Sequence, residues 1–266
     1  MSRSRVSDWL ITAIFFTALI AFWHLIAASG RVAPYVLPSP MAVWNAMVIA
    51  NTEGYPFGVT LLRHSLSTLR LAVTGFVLGA GLAVVCALPI GWYPAVRRAT
   101  EPVVALFRGI PALAWIPVAI LLFGISDASK LFVIVYGTFW IMLTHCLDGI
   151  TRIDPIFVRV AQTFGASTRQ ILTTIVLPAA LPPVFTGLRV GYALAFGVVL
   201  SAEMIGAFTG LGFLIQDARD LLRTDFVIVG MIAIGLLGYV TARVLFSLER
   251  LLIRWQPTAR EMIVYE

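Results

Sequence analysis

Six apolar stretches, each bounded by charge, glycine or proline, set the pattern of the chain: about 9–28, 66–90, 102–124, 130–147, 180–205 and 226–246. Each is close to the roughly 20 residues that an α-helix needs to cross a bilayer core. The pattern predicts six transmembrane helices. The third stretch carries Arg108, Pro111 and Pro117, and the fifth carries Arg189 and Glu203. Such residues are tolerated inside a membrane where neighbouring helices or a water-filled path satisfy them. The two prolines are expected to kink the third helix. On the second, Gly75 and Gly79 form a small-xxx-small face suited to close helix packing.

The connections have structure of their own. Ser39-Pro40 reads as an N-cap followed by proline at the first helical position, and Val43, Trp44, Met47 and Val48 follow at helical spacing. This predicts a short interfacial helix. Residues 206–225 are too polar to span and read as a partly re-entrant outer loop. From Ser247 the sixth helix is expected to continue, with Leu248, Leu251, Leu252 and Trp255 as an apolar stripe beside Arg250 and Arg254. No repeat or long linker divides the chain, so residues 1–266 read as a single transmembrane domain, its core spans at about 66–246.

Composition agrees with a lipid solvent. Of 266 residues, 60% are hydrophobic and 12% charged, about half the charged share of a soluble domain. The net charge of +6 is the excess of 19 basic over 13 acidic residues, and Lys130 is the only lysine. Arginine at cytoplasmic membrane faces explains this better than nucleic-acid binding. The first stretch is too long for the apolar region of a signal peptide, and reads as an uncleaved helix. Cys86 and Cys146 both lie in apolar stretches and imply no disulfide framework.

Basic residues also set an orientation. Arg3, Arg5, Arg97, Arg98, Arg152, Arg159, Arg169, Arg250, Arg254 and Arg260 fall on one side of the six-span scheme. Arg31, Arg63, Arg70, Lys130, Arg219 and Arg223 fall on the other, spread over longer connections. The positive-inside rule then places both termini and the 148–178 loop in the cytoplasm.

That loop carries the most specific signal. Arg159-Val160-Ala161 is followed by three residues, Gly165, nine residues, Ile175, one residue and Leu177-Pro178. Gly165 permits a left-handed turn after a first short helix. Ala166-Ser167 opens a second, which Pro178 is expected to stop. The spacing resembles the EAA loop of the permease subunits of binding-protein-dependent ABC importers, with Arg159-Val160 in place of Glu-Ala. Further segments resemble the aliphatic sulfonate, taurine and nitrate branch: Leu37-Pro38-Ser39-Pro40, Ile110 to Pro117, Phe123-Gly124-Ile125 with Ser129-Lys130, and Ala202 to Gly206 with Gly210-Leu211-Gly212. Together they cover about residues 35–250.

The resemblance implies an all-α membrane protein of type I importer architecture, a multi-pass protein of the bacterial inner membrane. It implies that Arg159, Val160, Ala161, Gly165, Ala166, Ile175, Leu177 and Pro178 belong to a loop that couples to an ATPase. The implied partners are an ABC ATPase dimer, which binds ATP and magnesium, an external substrate-binding protein and a second permease copy as a homodimer. The implied solute is a small anion of sulfonate, taurine or nitrate type. Arg108, Arg189 and Glu203 are candidates for lining the translocation path, because a charge at membrane depth costs roughly 2.5–3.5 kcal/mol on insertion scales.

No catalytic constellation is present. Lys130 is not in a P-loop, since Ser129 precedes it and Leu131 follows. Gly210-Leu211-Gly212 lacks the third glycine of a dinucleotide fingerprint. His24, His64 and His145 are far apart and make no metal-ligand spacing. No catalytic residue, metal site or resident cofactor is therefore expected. The alternative function is a secondary transporter or channel. It predicts intramembrane acidic or histidine relays and an internal repeat, whereas Glu203 is the one acidic residue well inside a predicted span.

Overall fold

The computed structural model describes residues 3–252. Its elements are all helical among the described residues: α1 (Arg3–Ala28), α2 (Pro40–Thr52), α3 (Leu61–Trp92), α4 (Pro94–Arg108), a 3-10 turn (Ala112–Trp115), α5 (Ile116–Phe123), α6 (Asp127–Thr151), α7 (Pro155–Thr163), α8 (Thr168–Ile171), a π-turn (Leu172–Val176), α9 (Leu177–Gly206), α10 (Leu211–Asp220) and α11 (Thr224–Leu252). Among the described residues five helices are long and apolar enough to cross a membrane. The apolar window of α1, Leu10–Ala28, has no buried residue, and Phe15, Phe16, Leu19 and Phe22 all stand exposed. Only lipid or another apolar partner makes such a surface tolerable.

The third expected span is corrected. In place of one kinked helix over 102–124, α4 starts at Pro94 and the chain bends by 82° before the Ala112–Phe123 segment. The pair counts as a sixth span only if the broken halves are taken together. Proline explains the break. Pro111 precedes the 3-10 turn, and Pro117 sits in the first turn of α5, positions where a missing amide hydrogen costs a helix nothing. Arg108 thereby becomes the last residue of α4 rather than a residue deep in a span.

The contacts gather in two compact units. Among the described residues, one comprises 3–67 and 208–235, the other 68–207 and 236–252. In the first, Val43, Ala46 and Ala50 of α2 pack with Ala218 of α10 and with Phe226 and Val229 of α11. The predicted cap of α2 is present: Ser39 Oγ accepts from the Ala42 amide at 3.2 Å. Residues 206–225, read as a loop, contain α10. Leu211, Leu214 and Ala218, all fully buried, recur at helical spacing.

The second unit is built on α6 and α9. Gly187 of α9 leaves room for His145, whose Cβ an added methyl would meet at 2.6 Å, and Gly137 of α6 does the same for Leu194. The Gly75–Gly79 face is used as expected. A Cβ on Gly75 would lie 2.5 Å from Ile134, and one on Gly79 would lie 2.8 Å from Thr138 and from the Val135 carbonyl. Small residues let these backbones approach where lipid supplies no hydrophobic drive between helices.

Candidate functional site

The loop between α6 and α9 is shaped by its own side chains and by one glycine. Asp154 caps α7, its Oδ1 accepting from the Ile156 amide at 2.9 Å, and Pro155 fills the first helical position. Gly165, with φ +77°, ends α7. Its amide donates to the Gln162 carbonyl at 2.9 Å and the next amide, of Ala166, to the Ala161 carbonyl at 3.0 Å. This is the doubly bonded C-terminal turn that needs a left-handed residue. No atom lies within 4 Å of where a Gly165 Cβ would stand, so backbone conformation rather than space requires glycine there.

A capping box then opens α8. The Ser167 amide donates to Gln170 Oε1 at 2.8 Å, and the Gln170 amide to Ser167 Oγ at 3.3 Å. Pro178 does not stop this second helix, which is a correction. Thr168–Gly206 runs on as one 39-residue apolar helix. The reason is the π-turn just before the proline, in which the Leu177 amide bonds back to the Leu172 carbonyl. Widening the turn by one residue relieves the clash between a proline ring and the preceding turn. Neither Ile175, half-buried, nor the buried Val176 faces outward.

The outward face of α7 is apolar. Ile156, Phe157 and Val160 are exposed, and Phe164 at its end is 86% exposed. Arg159 is exposed beside them, and Ala161 and Ala166 are half-buried. A short capped helix with an apolar outer face and a polar flank has the form of a protein-docking element.

The three charged residues expected along a path lie apart. Arg108 lines a cavity of about 220 Å3 with Arg97, Glu101 and Asp148. Arg189 forms an ion pair with Glu249 of α11, on the wall of an open cavity of about 440 Å3 shared with His145, Asp148, Arg152 and Thr186. Glu203 is fully buried, and Thr68 Oγ1 lies 2.9 Å from both its carboxylate oxygens. Sequence reasoning missed Thr68 and Glu249. Glu249 sits one residue before Arg250 in what reads as a charged helix end, and nothing local ties it to Arg189. No group of three or more His, Cys, Asp or Glu side chains is placed to hold a metal among the described residues.

The family model for the inner membrane component of binding-protein-dependent transport systems matches residues 75–256. The taurine transport system permease protein of Escherichia coli (strain K12) is 33% identical over 242 residues, 89% of this chain and 86% of that protein. A putative aliphatic sulfonates transport permease protein of the same organism is 32% identical over 253 residues, 95% of this chain and 93% of that one. The bicarbonate transport system permease protein of Synechocystis is 26% identical, over 94% and 91% of the two chains. In fold, the chain is similar to one from the inward-facing MetNI methionine ABC transporter, with a TM-score of 0.55 at 20% identity, over 70% of this chain and 95% of that one. With its loop spacing, its spans and these relatives, this chain belongs to the binding-protein-dependent transport system inner membrane component family, the multi-pass permease subunits of ABC importers.

Proposed function

We propose that the chain forms, as a homodimer, the translocation path for a small anion, and that its 148–178 loop lies in the cytoplasm and docks on an ABC ATPase dimer. ATP and magnesium are held by that partner, and an external binding protein delivers the solute. The observation that carries the docking is the loop itself. Its helix is capped at both ends and turned by Gly165, and it presents Ile156, Phe157, Val160 and Phe164 outward. A surface of that kind gains by burial against a partner, at roughly 25 cal/mol per Å2 of apolar area.

The solute class draws on the relatives, named for taurine, aliphatic sulfonates and bicarbonate. Each of these carries one compact oxyanion, and a nitrate-type solute fits the same chemistry. Closure of the ATPase dimer would move residues 155–178 and swing the helices from α4 to α11 between inward-open and outward-open arrangements. The chain itself does no covalent chemistry. The test is uptake into proteoliposomes holding the permease, its ATPase and its binding protein. Labelled taurine, an alkanesulfonate, nitrate and bicarbonate are compared with and without ATP. ATP-dependent uptake of at least one is expected; uptake that follows an ion gradient without ATP contradicts the proposal.

A further inference from the structure

Phe57 and Leu222 are the two non-glycine residues with left-handed backbones among the described residues, at φ +54° and +55°. Both are large and apolar, and both stand open: Phe57 is 84% exposed and Leu222 66%. A side chain on such a backbone is strained, and glycine, asparagine or aspartate is the usual occupant. Gly165 is the usual solution in this chain. Leu222 stands in the same doubly bonded turn, at the end of α10. Its amide donates to the Arg219 carbonyl at 3.0 Å and that of Arg223 to the Ala218 carbonyl at 2.8 Å. Leucine there forgoes the relief that glycine gives and buries little of itself in return. Phe57 has the Phe213 ring beside it, 6.3 Å away between centroids, and most of its surface remains open. Neither residue offsets its strain by packing within the described chain, which points to contact with something outside it.

The two turns belong to the same compact unit and are held together. In the first, the Tyr55 amide donates to the Val59 carbonyl at 2.8 Å and the Val59 amide to the Pro56 carbonyl at 3.1 Å. Tyr55 stacks on Phe226 at 3.9 Å between centroids, and the Arg223 guanidinium lies 4.6 Å from the centroid of the same ring. Phe226 in turn is part of the core of α2, α10 and α11. Both turns are thus ordered before any partner arrives, which spares a complex the cost of ordering them.

The surroundings select the partner. Leu222 is flanked by two arginines, each paired with an aspartate: Arg219 with Asp220 at 3.2 Å and Arg223 with Asp225 at 2.9 Å. A rim of both signs around protruding apolar side chains is the make-up of a protein interface, whereas an anionic bilayer surface is met by clusters of unpaired basic residues. We propose that Phe57 and Leu222 are the contacts through which the permease receives its external binding protein, with the phenylalanine as the main anchor. The identity of that partner and the external side of the two turns rest on the proposed function.

The experiment uses the permease–ATPase complex in nanodiscs and the purified binding protein that supports uptake in proteoliposomes, loaded with the solute taken up. ATP hydrolysis is followed as binding protein is added. Phe57→Gly and Leu222→Gly remove the side chain and relieve the backbone, so both variants should melt no lower than the native chain in detergent. Hydrolysis without binding protein stays unchanged. Half-maximal stimulation needs at least about tenfold more binding protein in Phe57→Gly, and several-fold more in Leu222→Gly. A role in packing alone gives the opposite pattern, a lower melting temperature with unchanged stimulation. Should Phe57→Gly melt lower through loss of the Phe213 contact, Leu222→Gly and a crosslink decide. A photoreactive phenylalanine at position 57 is expected to join the binding protein. Unchanged stimulation in either variant, or a crosslink to phospholipid or to a second permease copy in its place, overturns the inference and leaves the import function standing. If no binding protein supports ATP-driven uptake, the proposed function falls and this inference falls with it.

Discussion

At the scale of single residues, two positions decide most. Gly165 is left-handed with open space around its α-carbon, so a β-branched side chain there strains the backbone by about 1–3 kcal/mol without striking anything. Gly165→Val is expected to insert in the membrane normally and to lose co-purification with the ATPase. Gly165→Asn, which tolerates the same backbone region, should keep most of it. Equal behaviour of the two variants would remove the turn from the account. Glu203 was legible as a costly residue, but its partner was not, because Thr68 is 135 residues away. The hydroxyl bonds predict that Thr68→Val lowers thermal stability in detergent by about 1–3 kcal/mol, while Glu203→Gln, still able to accept the hydroxyl, costs less than Glu203→Leu. If Glu203→Gln alters uptake while assembly holds, the residue also serves the path.

At the scale of elements, periodicity and length were enough to find the long helices, whose apolar stretches are continuous. They were not enough for α4 and α5. Pro111 and Pro117 announce a disturbance, but whether a proline kinks a helix or separates two depends on what packs beside it. Pro178 misled for a related reason: a one-residue widening before it carries the helix through. That π-turn fixes the rotation of the loop relative to α9. Deleting Thr173 should remove it and turn α7 and α8 by about 100° relative to α9, abolishing ATPase association while α9 still inserts; retained association would show that the register is unimportant. The glycine face of α3 gives a second element-level test. Gly79→Ala, meeting Thr138 and a backbone carbonyl at 2.8 Å, should destabilise by about 1–3 kcal/mol. Gly81→Ala, with nothing within 4 Å, should be neutral or gain up to about 1 kcal/mol from helix propensity. Melting of both variants in the same detergent compares them directly.

At the scale of the whole molecule, family and architecture were readable because both rest on local patterns: apolar runs of spanning length and one loop with fixed spacing. The wall around Arg189 and Glu249 was not readable, since it joins residues 60 apart by helix packing that periodicity does not encode. The orientation rests on the basic-residue count, part of which, Arg254 and Arg260, lies outside the described residues. A reporter inserted near Arg169 should read cytoplasmic, and one near Glu53 or Asp217 external; the reverse at Arg169 would place the loop on the wrong side for an ATPase. The central claim, that this loop is where the ATPase docks, is tested most directly by photo-crosslinking. Phe164 and Leu121 are equally exposed, each at 86%, so exposure alone cannot separate them. With a photoreactive phenylalanine at position 164, the assembled complex should yield a crosslink to the ATPase subunit, and with the same probe at position 121 it should not. A crosslink from 121 and none from 164 would contradict the account.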